Sequence, residues 1–336
     1  MSSIIRNAKN AAVKQTTHLA TAQKKREGGG FVVRRPFPNK DFRMVDPILM
    51  VDHLGPVEYG PGEALGAPDH PHRGITTATL VLEGNWQHKD SNGNTGSLGP
   101  GSCQWMTAGR GVIHSEMPGD DLYKNGGLFH GFQVWFNIPA KDKMCKPEYD
   151  DVEKVDIPVA YSEDKLTSLR VIAGKVNDIE KKSIARVPVY VLNVKIKKGA
   201  KPYNLRLPRS MNGMIYVYNP QTVLIGTEER EVKEGQMVVL DLNAESADPN
   251  DKDNDNTTLI PLRLPENAAE DASVLVLAGK PLNEPVVQYG PFVMNTEEEI
   301  YQTMLDYQSG KFGKIEGEEE RYAQTRAAQK KDKQVI

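Results

Sequence analysis

Two short segments carry the residues whose types and spacing could do chemistry. The first contains His70 and His72 and the second contains His114 and Glu116, so each holds two potential metal ligands at positions i and i+2. Alternate side chains of a β-strand point to the same face, and each pair would present both ligands on one side. If the two strands face one another inside a barrel, three imidazoles and one carboxylate converge on a single point. The pattern predicts a metal site.

This donor set suits Fe(II), and Mn, Ni, Cu or Zn are also compatible with it. Because it contains no thiolate, a closed structural zinc site is disfavoured. Four protein ligands on an octahedral metal leave two positions open, as oxygen activation or substrate chelation requires. The competing interpretation is that these are ordinary histidines, hydrogen-bonded in a β core. Two ligand pairs at strand spacing favour the metal.

All seven histidines of the chain lie at or before His130. A site that binds metal through imidazole is therefore predicted only in the first half of the chain. Among the other histidines, His18 is interpreted as solvated, and His53 and His88 as structural or solvent-facing. His130 alternates with apolar residues, so it could line the same cavity, although core packing is the favoured interpretation.

The sequence predicts that β-strands position these residues. From Phe31 to about Pro139, short alternating runs are broken by Gly, Pro and Asn, and Asn92-Gly93 marks a tight hairpin. A second set of such runs extends from Leu169 to Leu277. Strands at this spacing predict an all-β protein with two sandwiches or barrels.

The ends of the chain follow different patterns. A capping box of Thr296 and Glu299 predicts a short C-terminal helix that Gly310 ends. The acidic segment 248–256 lacks the glycine and glutamate of a calcium loop and is interpreted as a solvated loop. The predicted organisation is a basic flexible arm (1–30), a first lobe with the metal site (31–140), a linker (141–165), a second lobe with the helix (166–313) and a charged tail, either a frayed helix or disordered (314–336).

Composition excludes several classes of function. The net charge of −3 gives no general attraction to nucleic acid or to anionic lipid, and no apolar run is long enough to span a bilayer. Two cysteines cannot form a disulfide framework, which favours a reducing intracellular compartment, cytoplasmic or nuclear. The first 26 residues contain basic but no acidic residues. A mitochondrial presequence is therefore an alternative to the favoured basic arm.

Several motifs together resemble the pirin family over about residues 31–313. They are His70-Pro71-His72-Arg73-Gly74, Gly109-Arg110-Gly111-Val112-Ile113-His114-Ser115-Glu116, Asp52-His53-Leu54-Gly55-Pro56, Gly290-Pro291-Phe292-Val293-Met294-Asn295 and Asp306-Tyr307-Gln308. The resemblance implies two tandem cupin lobes, which are jelly-roll β-barrels, and a mononuclear metal, usually iron, in the first lobe. The second lobe of this chain contains no histidine, which agrees with a family whose second barrel binds no metal.

The resemblance assigns the metal ligands as His70, His72, His114 and Glu116. The general cupin pattern expects a glutamate four or five residues after the second histidine, where this chain has Thr76 and Thr77. In the pirin arrangement the carboxylate ligand comes from Glu116 instead.

Two functions from different classes follow from the resemblance. Some pirins resemble flavonol 2,3-dioxygenases, which open the quercetin ring with O2 and release carbon monoxide. In this chain the resemblance implies that Glu116 is the catalytic base that takes the proton of the flavonol hydroxyl. The alternative is a non-enzymatic, iron-dependent regulator that binds transcription factors or signalling proteins. The sequence favours the dioxygenase, since open coordination positions have an evident chemical use. Its folded part shows no basic stripe for direct DNA binding.

Overall fold

The computed structural model describes residues 15–40, 42–243 and 256–331, and the acidic segment 248–256 lies outside them except for Asn256. The strands of the first part are β1 (Thr16–Thr21), β2 (Gln23–Glu27), β3 (Phe31–Phe37), β4 (Ile48–Tyr59), β5 (Ala67–His72), β6 (Ile75–Glu83), β7 (Trp86–Asp90), β8 (Thr95–Leu98), β9 (Cys103–Thr107), β10 (Val112–Pro118), β11 (Gly127–Asn137) and β12 (Glu148–Val152).

The later strands are β13 (Val159–Tyr161), β14 (Thr167–Val176), β15 (Ile179–Lys181), β16 (Val189–Ile196), β17 (Tyr203–Pro208), β18 (Asn212–Val217), β19 (Val223–Ile225), β20 (Arg230–Val232), β21 (Gln236–Leu240), β22 (Thr257–Arg263), β23 (Ala272–Gly279), β24 (Val287–Tyr289) and β25 (Phe292–Met294). The α-helices are α1 (Asp120–Asn125), α2 (Glu297–Gln308) and α3 (Glu318–Lys331), and Ala140–Asp142 and Lys154–Asp156 form 3₁₀ turns. No helix of the described residues is long and apolar enough to cross a membrane.

Two sandwiches lie in tandem, each made of a large and a small antiparallel sheet. The first lobe pairs the sheet β12-β9-β6-β11-β4-β3-β2 with the sheet β5-β10-β7-β8. The second pairs the sheet β1-β21-β18-β23-β16-β14-β13, with β15 added to β14, with the sheet β17-β22-β19-β20. The all-β prediction and its C-terminal helix are confirmed, and the capping box of Thr296 and Glu299 is present.

The two large sheets pack against each other through their outer faces. Side chains that point away from the first lobe's interior, such as Val134 and Phe136, share one apolar cluster with Val191, Leu275 and Leu277 of the second lobe. Successive side chains of a strand alternate between faces, so the intervening residues of β11 point into the first lobe. The large sheet thus serves both as the lobe interface and as a wall of the site.

The structure differs from the predicted flexible arm in residues 16–27. Thr16–Thr21 pairs with β21 of the second lobe, and Gln23–Glu27 pairs with β3 of the first. The many basic residues of this segment suggested solvation. However, an edge strand exposes one face and tolerates lysine there, so charge did not exclude pairing.

The predicted linker and tail also contain structure. Within 141–165, β12 extends the large sheet of the first lobe and β13 that of the second. Within 314–336, α3 packs against β5 of the first lobe. Its buried residues are few, Arg321, Thr325 and Ala328, which explains why an apolar periodicity gave no signal.

Candidate metal centre

The strands that carry the predicted ligands are neighbours in the small sheet of the first lobe. β5 and β10 pair antiparallel, and His70 lies directly opposite His114. The two strands therefore meet as neighbours within one sheet rather than from opposite walls of the barrel. Directly opposed residues of adjacent antiparallel strands project from the same face, so the histidines still converge.

His70, His72 and His114 form a compact cluster. One ring nitrogen of each lies within 4.8 Å of the others, which is close enough for a single metal ion to contact all three. The ring centroids of His70 and His114 are 4.2 Å apart, and that of His72 is 5.0 Å from each of them. His72 and His114 are buried, and His70 is half-buried.

Hydrogen bonds leave ring nitrogens of the cluster available to a metal. The Nδ1 atoms of His70 and His72 lie 2.8 and 3.2 Å from the carbonyl oxygens of Pro68 and Pro291, so each can donate a proton there and keep a lone pair on Nε2. Both ring nitrogens of His114 are buried without a hydrogen-bond partner. Such a buried polar group is costly unless something binds it, so the residues present fit a metal ion.

Burial also favours the uncharged form of these rings. Desolvation, together with the neighbouring His70, lowers the pKa of His72 to about 3. The same two causes lower the pKa of His114 well below its ordinary value. An imidazole must be uncharged to offer a lone pair, so the site holds its ligands in the form that a metal requires.

Glu116 lies in the same cavity but outside the histidine cluster. The register of β5 and β10 shifts between His114 and Glu116, and Glu116 falls opposite Ala67. Its Oε1 accepts a hydrogen bond of 2.8 Å from the Thr79 hydroxyl, and its Oε2 accepts one of 3.1 Å from Nε2 of Gln133. The structure thus holds this carboxylate through the large sheet, and metal ligation by Glu116 stays a prediction.

A cavity of about 800 Å³ lies between the two sheets of the first lobe and reaches the cluster. His70, His72 and Glu116 line it, while the ring of His114 lies behind them. Its apolar lining includes the aromatic side chains of Phe31, Trp86, Phe129 and Trp135. Its volume is within the range of roughly 300–1,000 Å³ that is common for small-molecule sites.

A charged group on the cavity wall was not predicted from the sequence. Nε of Arg35 lies 2.6 Å from Oδ1 of Asp52, and Nη2 contacts both the other Asp52 oxygen and, at 2.7 Å, Glu27. In the sequence Asp52 stands out only as part of a motif, and Arg35 does not stand out. Only the pairing of β3 with β4 brings them together.

The C-terminal segment contributes to the cavity wall. Tyr322 of α3 lines the cavity, and the guanidinium of Arg321 forms a paired hydrogen bond with Asp69, the residue before His70. Arg73, which follows His72, forms a buried ion pair with Asp306 of α2. Both flanks of the His70–His72 segment are therefore anchored by residues far along the chain.

The remaining histidines lie outside the three-histidine cluster. His53 and His130 contact each other through their Nε2 atoms at 2.7 Å, and Nδ1 of His53 lies 3.1 Å from the hydroxyl of Tyr216 in the second lobe. Neither is among the residues that line the cavity.

His88 is buried beside Asp90, and His18, expected to be solvated, is half-buried and stacked on Phe42.

Comparison with known proteins agrees with this geometry. The family model described as pirin matches residues 30–136, and the model of the pirin C-terminal cupin domain matches residues 191–313. This chain is a member of the pirin family. Human pirin is 35% identical over 302 residues, which cover 89% of this chain and 94% of the human protein. The two lobes are cupin domains.

Other relatives carry names that refer to an activity. A Pseudomonas aeruginosa protein provisionally named as a quercetin 2,3-dioxygenase is 37% identical over 287 residues, covering 85% of this chain and 93% of that protein. The crystal structure titled quercetin 2,3-dioxygenase from Acinetobacter baumannii has a TM-score of 0.78 at 32% identity and covers 91% of this chain and all of that one. A bacterial pirin of Escherichia coli in complex with nickel(II) shares the fold, with a TM-score of 0.55 at 18% identity over 79% of this chain and 98% of that one.

Proposed function

We propose that this pirin is a flavonol 2,3-dioxygenase that acts on quercetin or a close relative with a mononuclear iron. The observation that carries the proposal is a three-histidine cluster that opens into an aromatic-lined cavity with a buried carboxylate on its wall. The quercetin dioxygenase from Acinetobacter baumannii, with its similar fold, supports the choice of substrate.

His70, His72 and His114 would hold the metal, with Glu116 as the predicted fourth ligand. When bound there, a divalent metal would lower the pKa of a coordinated flavonol hydroxyl and bring it together with O2. Nitrogen and oxygen donors suit Fe(II), while Mn, Ni, Cu and Zn remain compatible. Nickel in the Escherichia coli pirin is consistent with this range.

In this proposal Glu116 accepts the proton of the flavonol hydroxyl. Hydrogen bonds from Thr79 and Gln133 fix its carboxylate on the cavity wall, on the same strand as His114. A carboxylate held in this way needs no reorganisation before it accepts a proton, which is how a positioned base contributes to rate. Gln133 acts through Glu116 and is a positioning residue.

The aromatic side chains orient the ligand and exclude water. Trp86 stacks on Phe129 with ring centroids 4.4 Å apart, and Trp135 packs edge-on against His72 at 4.9 Å. Flat aromatic surfaces of this kind bind a planar ligand by stacking. The cavity is therefore suited to a flavonol lying between the two sheets with its hydroxyl–carbonyl edge toward the histidines.

The test is oxygen-dependent turnover by iron-loaded protein. Protein loaded with Fe(II) without oxygen is mixed with quercetin and O2, and the loss of flavonol absorbance is followed together with the carbon monoxide released. We expect turnover that the His72→Ala variant lacks. Turnover no faster than this control would refute the dioxygenase and favour the metal-dependent regulator.

A further inference from the structure

The group formed by Glu27, Arg35 and Asp52 follows the cavity wall away from the histidines. The Asp52 side chain is 6% exposed, that of Arg35 is 10% exposed and that of Glu27 is 38% exposed, so the group runs from the interior to the mouth. On the inner side Asp52 pairs across strands with Gln133, which bonds Glu116. One elongated ligand can therefore reach both this group and the cluster.

The charge of the group limits what it can bind. Two carboxylates face one guanidinium, which gives the group itself a net charge of −1. A ligand carboxylate bound directly to the group would add a second negative charge in a partly buried place, which is costly. The group therefore disfavours a carboxylate as its direct partner, although Arg43 also lines the cavity and Lys25 acts on Asp52.

The hydrogen-bonding capacity of the group matches a neutral hydroxyl. The carboxylate oxygens that do not bind Arg35 can only accept hydrogen bonds. An arginine offers five N–H donors, and Asp52 and Glu27 engage those on the Nε and Nη2 atoms of Arg35. A phenolic hydroxyl both donates and accepts, so it can satisfy a carboxylate and the guanidinium together. An ether oxygen or an aromatic C–H cannot do both.

We propose that Glu27, Arg35 and Asp52 form a specificity subsite that recognises a ring hydroxyl of the ligand remote from its metal-binding edge. The substrate class is thus a neutral polyhydroxylated flavonol rather than a flavonol without further hydroxyls or a carboxylated aromatic compound. This inference rests on the proposed function for the orientation of the ligand.

The experiment compares two ligands that share the metal-binding edge. Quercetin carries further ring hydroxyls, whereas 3-hydroxyflavone carries only the hydroxyl–carbonyl pair. Binding to the metal-loaded protein without oxygen is followed by quenching of the fluorescence of Trp86 and Trp135, which line the cavity. The readout is the ratio of the two dissociation constants, because changes in metal content or fold affect both ligands alike.

The wild type is expected to bind quercetin about tenfold or more tightly than 3-hydroxyflavone, because only quercetin has a further hydroxyl that can form a hydrogen bond to this charged group. The double variant Arg35→Met/Asp52→Leu removes both buried charges together and avoids leaving one unpaired. It is expected to bring the ratio close to one. Glu27→Gln should lower the ratio a few-fold, and Glu58→Gln, on the exposed part of β4, is the matched control that should leave it unchanged.

The possible outcomes distinguish failure of the proposed subsite from failure of the proposed dioxygenase activity. A tenfold ratio that collapses in the double variant supports the subsite even if no oxygen-dependent turnover is found, in which case only the proposed function fails. Equal affinities in the wild type, absence of binding by both ligands, or a ratio unchanged in a folded, metal-loaded double variant overturns the subsite, whatever the turnover. If the double variant does not fold, Asp52→Asn takes its place with the same criteria.

Discussion

The interiors of the two lobes differ although their architecture is shared. The second lobe is filled by a close-packed aliphatic cluster that includes Leu192, Val194, Ile215 and Val276. In the first lobe, the inner face of the large sheet instead carries a polar row from Asp52 through Gln133, Thr79 and Gln104 on neighbouring strands. The same fold thus serves as a packed body in one lobe and as a lined cavity in the other.

This difference indicates how a site can be built in one of two lobes that share a fold. Sheet pairing is maintained by backbone hydrogen bonds and by the faces that pack between the lobes, so inward residues of one lobe are free to be polar. The polar row is stable because its members bond one another, as Thr79, Gln133 and Glu116 do.

Loss of one histidine should have the largest effect on the first lobe. Removing His114 leaves two of the three clustered histidines, so His114→Ala should lower metal affinity by more than about 100-fold, because even partners that only orient ligands are worth 10–100-fold. Metal analysis of purified protein and the metal-induced rise in melting temperature measure this. The matched variant His18→Ala, outside the cluster, should retain the metal. Equal metal content in both variants would contradict the cluster.

Matched leucine substitutions should measure the difference in packing. Leu192→Ala in the second lobe should lower the free energy of unfolding by about 4 kcal/mol, because it opens a new cavity in a packed cluster. Leu54→Ala, beside the existing cavity, should cost about 2 kcal/mol, because solvent or ligand already reaches that wall. Urea unfolding measures both. Equal losses would show that the first lobe is as tightly packed as the second.

Loss of a positioning residue should separate turnover from metal binding. Gln133→Leu removes a hydrogen bond to Glu116 and is expected to lower kcat about 10–100-fold while the protein keeps its metal. The exposed Gln308→Leu is the control and should change neither quantity. If Gln133→Leu loses metal as readily as turnover, Glu116 is held as a ligand rather than as a base.

The boundary between the lobes should show a modest dependence on pH. Burial, together with Arg34, lowers the pKa of His130 to about 4, and burial, Arg34 and His130 lower that of His53 to about 2. Below the ordinary value of 6.5 the unfolded chain takes up protons that the folded chain refuses, so stability falls as the pH falls from 6.5 toward 4. His130→Gln should flatten this decline in urea unfolding midpoints measured from pH 7 to pH 4. A decline parallel to that of the wild type would show that His130 does not contribute to it.

The histidine cluster could be predicted from the sequence because its spacing is local. His70 and His72 share a strand face by periodicity alone, and His114 and Glu116 have the same spacing on a second strand. The neighbouring placement of β5 and β10 could not be predicted in this way, because strand order depends on long-range pairing. Thr79, Gln133 and the Arg35–Asp52 pair were missed for the same reason, since only register brings them to one wall.

The first strand of the chain belongs to the second lobe and the last helix packs against the first lobe, which determines how the molecule can be divided. β1 completes a sheet of the second lobe, although the strands that follow it belong to the first, and α3 returns from the second lobe to close the first. A protease cut between residues 141 and 165 would therefore leave two fragments that still hold each other by strand pairing and by the Arg321–Asp69 contact. The two lobes are not interchangeable modules, and neither half of the gene alone encodes a complete one.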